Sequence, residues 1–395
     1  MNIQDKNLYY IGGVVRDEIL GLKSFDIDLT YDGDAIEFAK TIPNAEIVQI
    51  NEPFGTVRIR LKNSTHPIPP SKGRGIEIDI ASTRSESYPQ KGHLPVVDKI
   101  GCSLKDDVLR RDFTINAMAK STINGEIIDY TSGLEDIKNK KLRVLHNGSF
   151  IDDPTRILRA LKFAVRFGFE LDKHTEKLQK EYLENINYDM SYKRLKKELI
   201  ETFNLNNWNA FERFINQGIY KLIAPQEYEL PEYNFSGLIN NYILATHPTL
   251  FSNGQGKFSV WIIYVGLLPD ISNLPLTKVE KNIVEKFRDL AIYKPHLPLP
   301  NENTDFEIYK IFKNIPIESV IMYSAINPQI VEHYLNDLKD IELEITGEDL
   351  KSFGINPSAK YQECFDFVLQ EKIKNPKITK ENEIKLAKEF FQTAK

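Results

Sequence analysis

The sequence predicts an α+β protein, with a mixed α/β head at its N-terminal end and helices from there to the C-terminus. Three observations predict it. Strand-like alternation broken by Gly and Asp turns is confined to about the first 142 residues. Apolar residues at helical spacing take over from about Ser149. Beyond Tyr228 β signals almost vanish. The 395 residues are too many for one ordinary core. A content of 41% hydrophobic and 27% charged residues is that of a soluble globular chain and excludes a disordered or collagen-like one.

Asn7–Ile11 reads as a short strand ending at Gly12-Gly13, and Val14–Leu20 as a helix with Gly21 at its C-cap. Phe25–Tyr31 alternates, and Asp32-Gly33-Asp34 supplies turn chemistry before a helix at Ala35–Thr41. Strands are expected at Glu46–Ile50, Thr56–Leu61 and Gly75–Ser82, with Asn63–Arg74 an exposed hairpin loop. Glu86–Gly101, with Pro89, Gly92 and Pro95, reads as irregular and mobile. In Leu104–Ala119, apolar positions 104, 108, 115 and 118 suit a helix broken near Asp112–Thr114.

Pro154–Phe167 puts Ile157, Leu158, Leu161, Ala164 and Val165 on one helix face and leaves Arg156 and Arg159 off it. Thr175–Ile186, Tyr192–Phe203 and Trp208–Leu222 read as further amphipathic helices. The apolar run Phe258–Pro269 is shorter than the ~20 residues a membrane span needs, so it reads as a buried helix. The Pro-rich stretch Tyr293–Asn301 marks a boundary before the last helical region. Only two cysteines, Cys102 and Cys364, and a polar N-terminus without a signal-peptide core point to a reducing, cytoplasmic compartment.

The chemistry gathers in five places. Asp26 and Asp28 stand at i and i+2 of a strand, so both carboxylates project from one face. Asp79 lies between Ile78 and Ile80 and projects opposite to them. Three strand carboxylates on one sheet face would form an oxygen cage for Mg²⁺, and a solvated polar face is the alternative. Gly12-Gly13-Val14-Val15-Arg16-Asp17 joins a strand to a helix, where glycines admit a phosphate and Arg16 adds a forked donor. Its spacing is neither a dinucleotide nor a P-loop fingerprint, and a plain turn would explain the two glycines. Arg110 and Arg111 could reach a phosphate or form a surface charge run. Asp153 falls at a helix N-cap with Pro154 at N1, which is sufficient structural reason for both. Arg156 and Arg159, three apart, are neighbours on one helix face.

In this order, Gly-Gly-Val-Val-Arg-Asp (12–17), Asp-Ile-Asp-Leu (26–29), Asp-Ile-Ala-Ser-Thr-Arg (79–84), Leu-Arg-Arg-Asp-Phe-Thr-Ile-Asn-Ala (109–117) and Asp-Asp-Pro-Thr-Arg-Ile-Leu-Arg-Ala (152–160) resemble the class II tRNA nucleotidyltransferase and poly(A) polymerase family. The resemblance implies a polymerase-beta-like nucleotidyltransferase head at 1–142, a helical neck at 143–225, a body at 226–300 and a tail at 301–395. It implies Mg²⁺-dependent addition of CMP and AMP, from CTP and ATP, to the 3′ end of tRNA without a template. Asp26 and Asp28 would hold the metals, and Asp79 would be the third catalytic carboxylate. Gly12, Gly13, Arg16 and Arg111 fall on nucleotide-binding positions. Asp153 and Arg156 match the pair that reads the incoming base, with Arg159 next along the helix. Lys162 stands where the family commonly has a third Arg, keeping the charge but not the planar fork.

Full CCA addition is favoured over a split A-adding or CC-adding enzyme because the segment from Arg84-Ser-Glu-Ser-Tyr88 onward is intact. A poly(A) polymerase and a non-catalytic RNA-binding protein rank behind these. The formal net charge of −5 argues against an RNA partner. It is an average, however: residues 51–200 hold 27 Lys and Arg against 21 Asp and Glu, while 301–350 hold 3 against 11.

Overall fold

The structure, a computed structural model, describes residues 3–24, 27–61, 76–186, 189–246, 258–355 and 360–393. Asp26 and the expected loop Asn63–Arg74 lie outside them. The chain divides into two compact units, Met1–Thr202 with Glu212–Pro225, and Phe203–Phe211 with Gln226–Lys395. The second unit runs on through the Pro-rich stretch at 293–301 without a division.

The first unit opens with β1 (Leu8–Ile11), α1 (Gly13–Ile19), β2 (Asp28–Tyr31), α2 (Ala35–Lys40), β3 (Ala45–Asn51), β4 (Thr56–Leu61) and β5 (Ile76–Ser82). Asp34 caps α2, accepting from the Ile36 and Glu37 amides at 2.9 and 3.1 Å. Then come β6 (Arg84–Ser87), β7 (Val96–Ile100), α3 (Leu104–Leu109), β8 (Met118–Ser121), β9 (Ile127–Asp129) and α4 (Gly133–Lys138). Seven strands form one sheet in the order β3-β4-β5-β2-β1-β8-β9. Only β2 and β5 pair in parallel; the other neighbours are antiparallel. Ile78 and Ile80 point down to a core of Leu8, Leu29, Val57 and Ile59 sealed by Ala35 and Ala39 of α2. Pleat alternation therefore turns Asp79 to the other face.

Two sequence expectations are corrected here. Glu86–Gly101 is not irregular: β6 and β7 form an antiparallel hairpin with Arg84 opposite Ile100 and Ser87 opposite Val96. Pro89, Gly92 and Pro95 sit in its loop rather than breaking the strands. The helix from Leu104 does not resume after Asp112. A single 3-10 turn, Thr114–Asn116, follows, and Met118 enters β8 beside β1. The Thr114 amide is taken by the Arg143 carbonyl at 2.9 Å, so sheet pairing overrides helical spacing.

The unit continues with β10 (Lys141–Leu142), α5 (Ser149–Asp152), α6 (Thr155–Phe167), β11 (Glu170–Leu171), α7 (Lys173–Glu184) and α8 (Tyr192–Phe203). α9 (Trp208–Asn216) stops short of the expected Leu222, because Gly218 takes φ +70 before a 3-10 turn at Ile219–Leu222.

The second unit is helical: α10 (Ser236–Thr246), α11 (Val260–Val265), α12 (Lys278–Tyr293), α13 (Asp305–Phe312), α14 (Ile317–Tyr323), α15 (Pro328–His333), α16 (Gly347–Ser352), α17 (Lys360–Lys374) and α18 (Lys380–Thr393). Phe203, Phe211, Phe235 and Tyr264 pack ring against ring, with Trp208 edge-on to Phe211 and Phe235. α11 is buried throughout, Trp261 included. Among the described residues no helix is long and apolar enough to cross a membrane.

Candidate active site

Parallel pairing sets Asp28 directly opposite Asp79, and antiparallel pairing sets Arg58 opposite Asp79 on the other side. One row across three strands thus carries two carboxylates and a guanidinium on the face away from α2. Arg58 grips Asp79 with both arms, Nε to Oδ1 at 2.7 Å and Nη2 to Oδ2 at 2.8 Å. Asp28, Asp79 and Arg58 line a cleft of about 300 Å³ whose walls also carry Gln49, Asn51, Arg84, Arg110 and Arg111. Four arginines against two carboxylates favour an anionic ligand. Among the described residues no three His, Cys, Asp or Glu side chains group to hold a metal. Asp28 and Asp79 supply two neighbouring hard oxygen donors, a set that suits Mg²⁺. Asp26, the other expected ligand, falls outside the described residues.

Arg110 is anchored by Asp107 at 2.8 Å and Glu86 at 3.1 Å, and Arg111 shares Asp107 at 3.1 Å. Their pull keeps the buried Asp107 carboxyl below its usual range, although burial alone would raise it. The Arg111 Nε is buried with no hydrogen-bond partner among the described residues. Its Nη1 would lie 2.9 Å from a Cβ at Gly12, whose φ is +69, so the space at Gly12 belongs to the Arg111 guanidinium. Gly13 begins α1.

Arg16 does not line the cleft. Buried at 5% exposure, it bonds Asp17 through Nε and Nη2 at 2.8 and 2.6 Å and Asn116 through Nη1 at 2.5 Å. The Phe163 and Phe167 rings lie against its guanidinium at 5.1 and 4.7 Å.

α6 is more buried than its apolar stripe implied. Arg156 and Lys162, off the stripe, are 4% and 8% exposed. For Lys162 the reason is a chain of charges that continues from Arg16. Asn116 Nδ2 donates to Asp112 Oδ1 at 2.9 Å, and Arg159 Nε and Nη2 close on Asp112 Oδ2 at 2.7 and 2.6 Å. Arg159 Nη1 reaches Glu198 at 3.4 Å, and Lys162 Nζ sits between Glu198 and Glu201 at 2.7 and 2.6 Å. Burial works against the Asp112 carboxylate, yet Arg159 and Asn116 hold its pKa at about 2. Sequence reasoning missed these partners. A signal was present: Glu198 and Glu201 repeat on α8 the three-residue spacing of Arg159 and Lys162 on α6.

Asp153 and Arg156 stand at the start of α6, both buried. Asp153 Oδ1 accepts from the Thr155 amide at 3.1 Å and hydroxyl at 2.6 Å, but α6 starts at Thr155 with Pro154 at its N-cap, so Asp153 stands one residue ahead of the expected N-cap position. Arg156 Nη1 donates to Ser149 Oγ at 2.7 Å; its Nη2 donates to Tyr88 Oη and the Arg110 carbonyl, each at 3.2 Å. His146 Nε2 lies 3.5 Å from Nη1. Burial and the Arg156 charge press the His146 imidazole below its ordinary range. Arg110 therefore joins the two places: the residue lines the cleft while its carbonyl accepts from Arg156.

The geometry finds counterparts among known proteins. Residues 8–143 match the family described as the Poly A polymerase head domain. An A-adding tRNA nucleotidyltransferase of Geobacter sulfurreducens is 31% identical across 98% of this chain, which spans 45% of that protein. A CCA-adding enzyme of Streptococcus mutans is 30% identical across 72% of this chain and 67% of its own length. The structure of the Thermotoga maritima CCA-adding enzyme complexed with tRNA superposes with a TM-score of 0.71 at 26% identity, covering 98% of this chain and 91% of that one. The head match and the likeness to these relatives agree, and the chain belongs to the tRNA nucleotidyltransferase and poly(A) polymerase family.

Proposed function

We propose that this chain transfers nucleotides from nucleoside triphosphates to the 3′ end of tRNA, without a nucleic-acid template, releasing pyrophosphate. The observation that carries the reading is the pair Asp28 and Asp79, in register on adjacent strands beneath an arginine-walled cleft. Asp28, with Asp26, would hold Mg²⁺, which lowers the pKa of the RNA 3′-hydroxyl and neutralises the triphosphate when bound. Asp79 stands beside the attacking hydroxyl, held by Arg58. Arg111, over Gly12, faces the phosphates, and Arg84 and Arg110 add positive charge to the wall. Arg16 shapes this site from behind, through Asp17 and Asn116.

Asp153 and Arg156 read the base. A carboxylate accepts from the exocyclic amine of C or A, and a guanidinium donates to the neighbouring ring acceptor. U and G present the opposite order, and each mismatch costs about 1–3 kcal/mol. Base entry requires Tyr88 to move, since its ring covers the Arg156 guanidinium at 5.7 Å. Arg159 and Lys162 hold α6 against α8 through Glu198 and Glu201, so the missing third arginine fork falls at a packing position.

Both CMP and AMP fit this edge, as full CCA addition requires, and we place that reaction in the cytoplasm. The likeness to an A-adding enzyme over 98% of the chain favours a second reading, AMP alone onto tRNA ending in CC. One experiment separates them. The chain is incubated with Mg²⁺, labelled CTP or ATP, and tRNA lacking either the whole CCA or its last A. CTP incorporation followed by AMP establishes CCA addition, and AMP only onto the CC end establishes A addition. Incorporation of neither overturns the proposal.

A further inference from the structure

Asp153 is gripped from a second helix. Arg194 of α8 donates through Nη2 to Asp153 Oδ2 at 2.5 Å and through Nη1 to the His93 carbonyl oxygen at 3.0 Å. Thr155 holds the other oxygen, Oδ1, from within α6. Both side chains are largely enclosed, Asp153 at 7% and Arg194 at 24% exposure. Each carboxylate oxygen therefore has a donor already aimed at it. The group can turn only by giving up one of those bonds.

We propose that Arg194 is a positioning residue that sets nucleotide specificity, fixing the Asp153 carboxylate so that it offers the incoming base an acceptor in one orientation only. This rests on the assignment of Asp153 and Arg156 to base recognition. The consequence is chemical. A fixed acceptor meets the amine of C or A and opposes the carbonyl of U or G. A carboxylate free to rotate can turn its edge aside or take a bridging water, and the wrong base then loses less. The His93 carbonyl matters because it holds the second arm of the fork, which fixes the guanidinium plane. A lysine would carry the charge to Asp153 without that second anchor.

The test is steady-state kinetics on the full chain with tRNA shortened at its 3′ end. kcat/KM is measured for the nucleotide the wild type takes, CTP or ATP, and for UTP and GTP. Arg194→Met is expected to lower the ratio of right to wrong incorporation at least tenfold, and Arg194→Lys at least threefold. Asp153→Asn should lower the same ratio, and adding Arg194→Met to it should lower the ratio no further. A general loss of turnover with an unchanged ratio in Arg194→Met would mean mere packing and overturns the proposal. So does an Arg194→Met effect that persists in full beside Asp153→Asn. If circular dichroism finds Arg194→Met unfolded, the Lys variant decides, and an unchanged ratio there overturns it. A ratio unmoved by Asp153→Asn instead overturns the base-reading assignment beneath the proposal, and the proposal with it.

Discussion

Replacing Asp112 with Asn removes one charge from the chain Asp17–Arg16–Asn116–Asp112–Arg159–Glu198 and keeps the volume. The magnitude follows from the carboxyl's held-down proton affinity. Its pKa is about 2 in the fold against 3.8 free. At about 1.4 kcal/mol per pH unit, this is worth about 2.5 kcal/mol at neutral pH. Because the folded value is the lower one, the contribution is complete above the unfolded pKa and is lost as pH falls through the folded one. Arg159 retains Glu198 at 3.4 Å and is a third exposed, so the loss should not reach the larger figures of fully buried pairs. Asp112→Asn should therefore cost about 2.5 kcal/mol at pH 7, and the gap to wild type should narrow to about half of that at pH 3. Trp208 and Trp261 both belong to the second unit, so their fluorescence does not report directly on this site. Hydrogen exchange of peptides spanning 104–121, in urea at both pH values, reads the right region. A gap under about 0.5 kcal/mol at pH 7, or one that widens on acidification, refutes the reasoning.

Three further outcomes are expected. Gly12→Ala forces a left-handed alanine and drives its Cβ toward Arg111, so thermal unfolding should show a loss of about 1–2 kcal/mol and KM for the nucleoside triphosphate should rise. Asp28→Ala should lower incorporation by at least about a hundredfold with an unchanged circular dichroism spectrum, since the side chain lies on the open face of the sheet. Glu383→Gln should cost the second unit about 3 kcal/mol, read by tryptophan fluorescence in urea, because this fully buried carboxylate pairs with Lys372 and accepts the Glu344 and Ile345 amides at 2.8 Å.

The local elements were legible in the sequence wherever spacing alone decides them. β1 into Gly12, the Asp34-capped α2, and the Ile78/Asp79/Ile80 alternation needed no knowledge of neighbours. What could not be read was pairing. Nothing in the order of residues says that β5 inserts beside β2 in parallel, yet that register is what brings Asp28 to Asp79. The same blindness explains α6: Ile157, Leu158, Leu161 and Ala164 of its apolar stripe are buried and Val165 only partly, but Arg156 and Lys162 are buried because Ser149, Tyr88, Glu198 and Glu201 close over them. For Thr114–Met118 helical spacing misled, because the Arg143 carbonyl and β1 competed for that backbone.

The charge chain also bears on the order in which the protein is made. Arg16 leaves the ribosome a hundred residues ahead of Asn116, its second partner, and Asp112 precedes Arg159 by 47. Arg159 and Lys162 in turn wait for Glu198 and Glu201. The nascent head can form its sheet while these side chains remain hydrated, but it cannot enclose them until α8 has emerged. A fragment ending at residue 143 would therefore carry Asp112 without Arg159, the guanidinium that bonds it. The boundary at which sequence likeness to the head domain stops is thus not a boundary at which the molecule can be cut without loss.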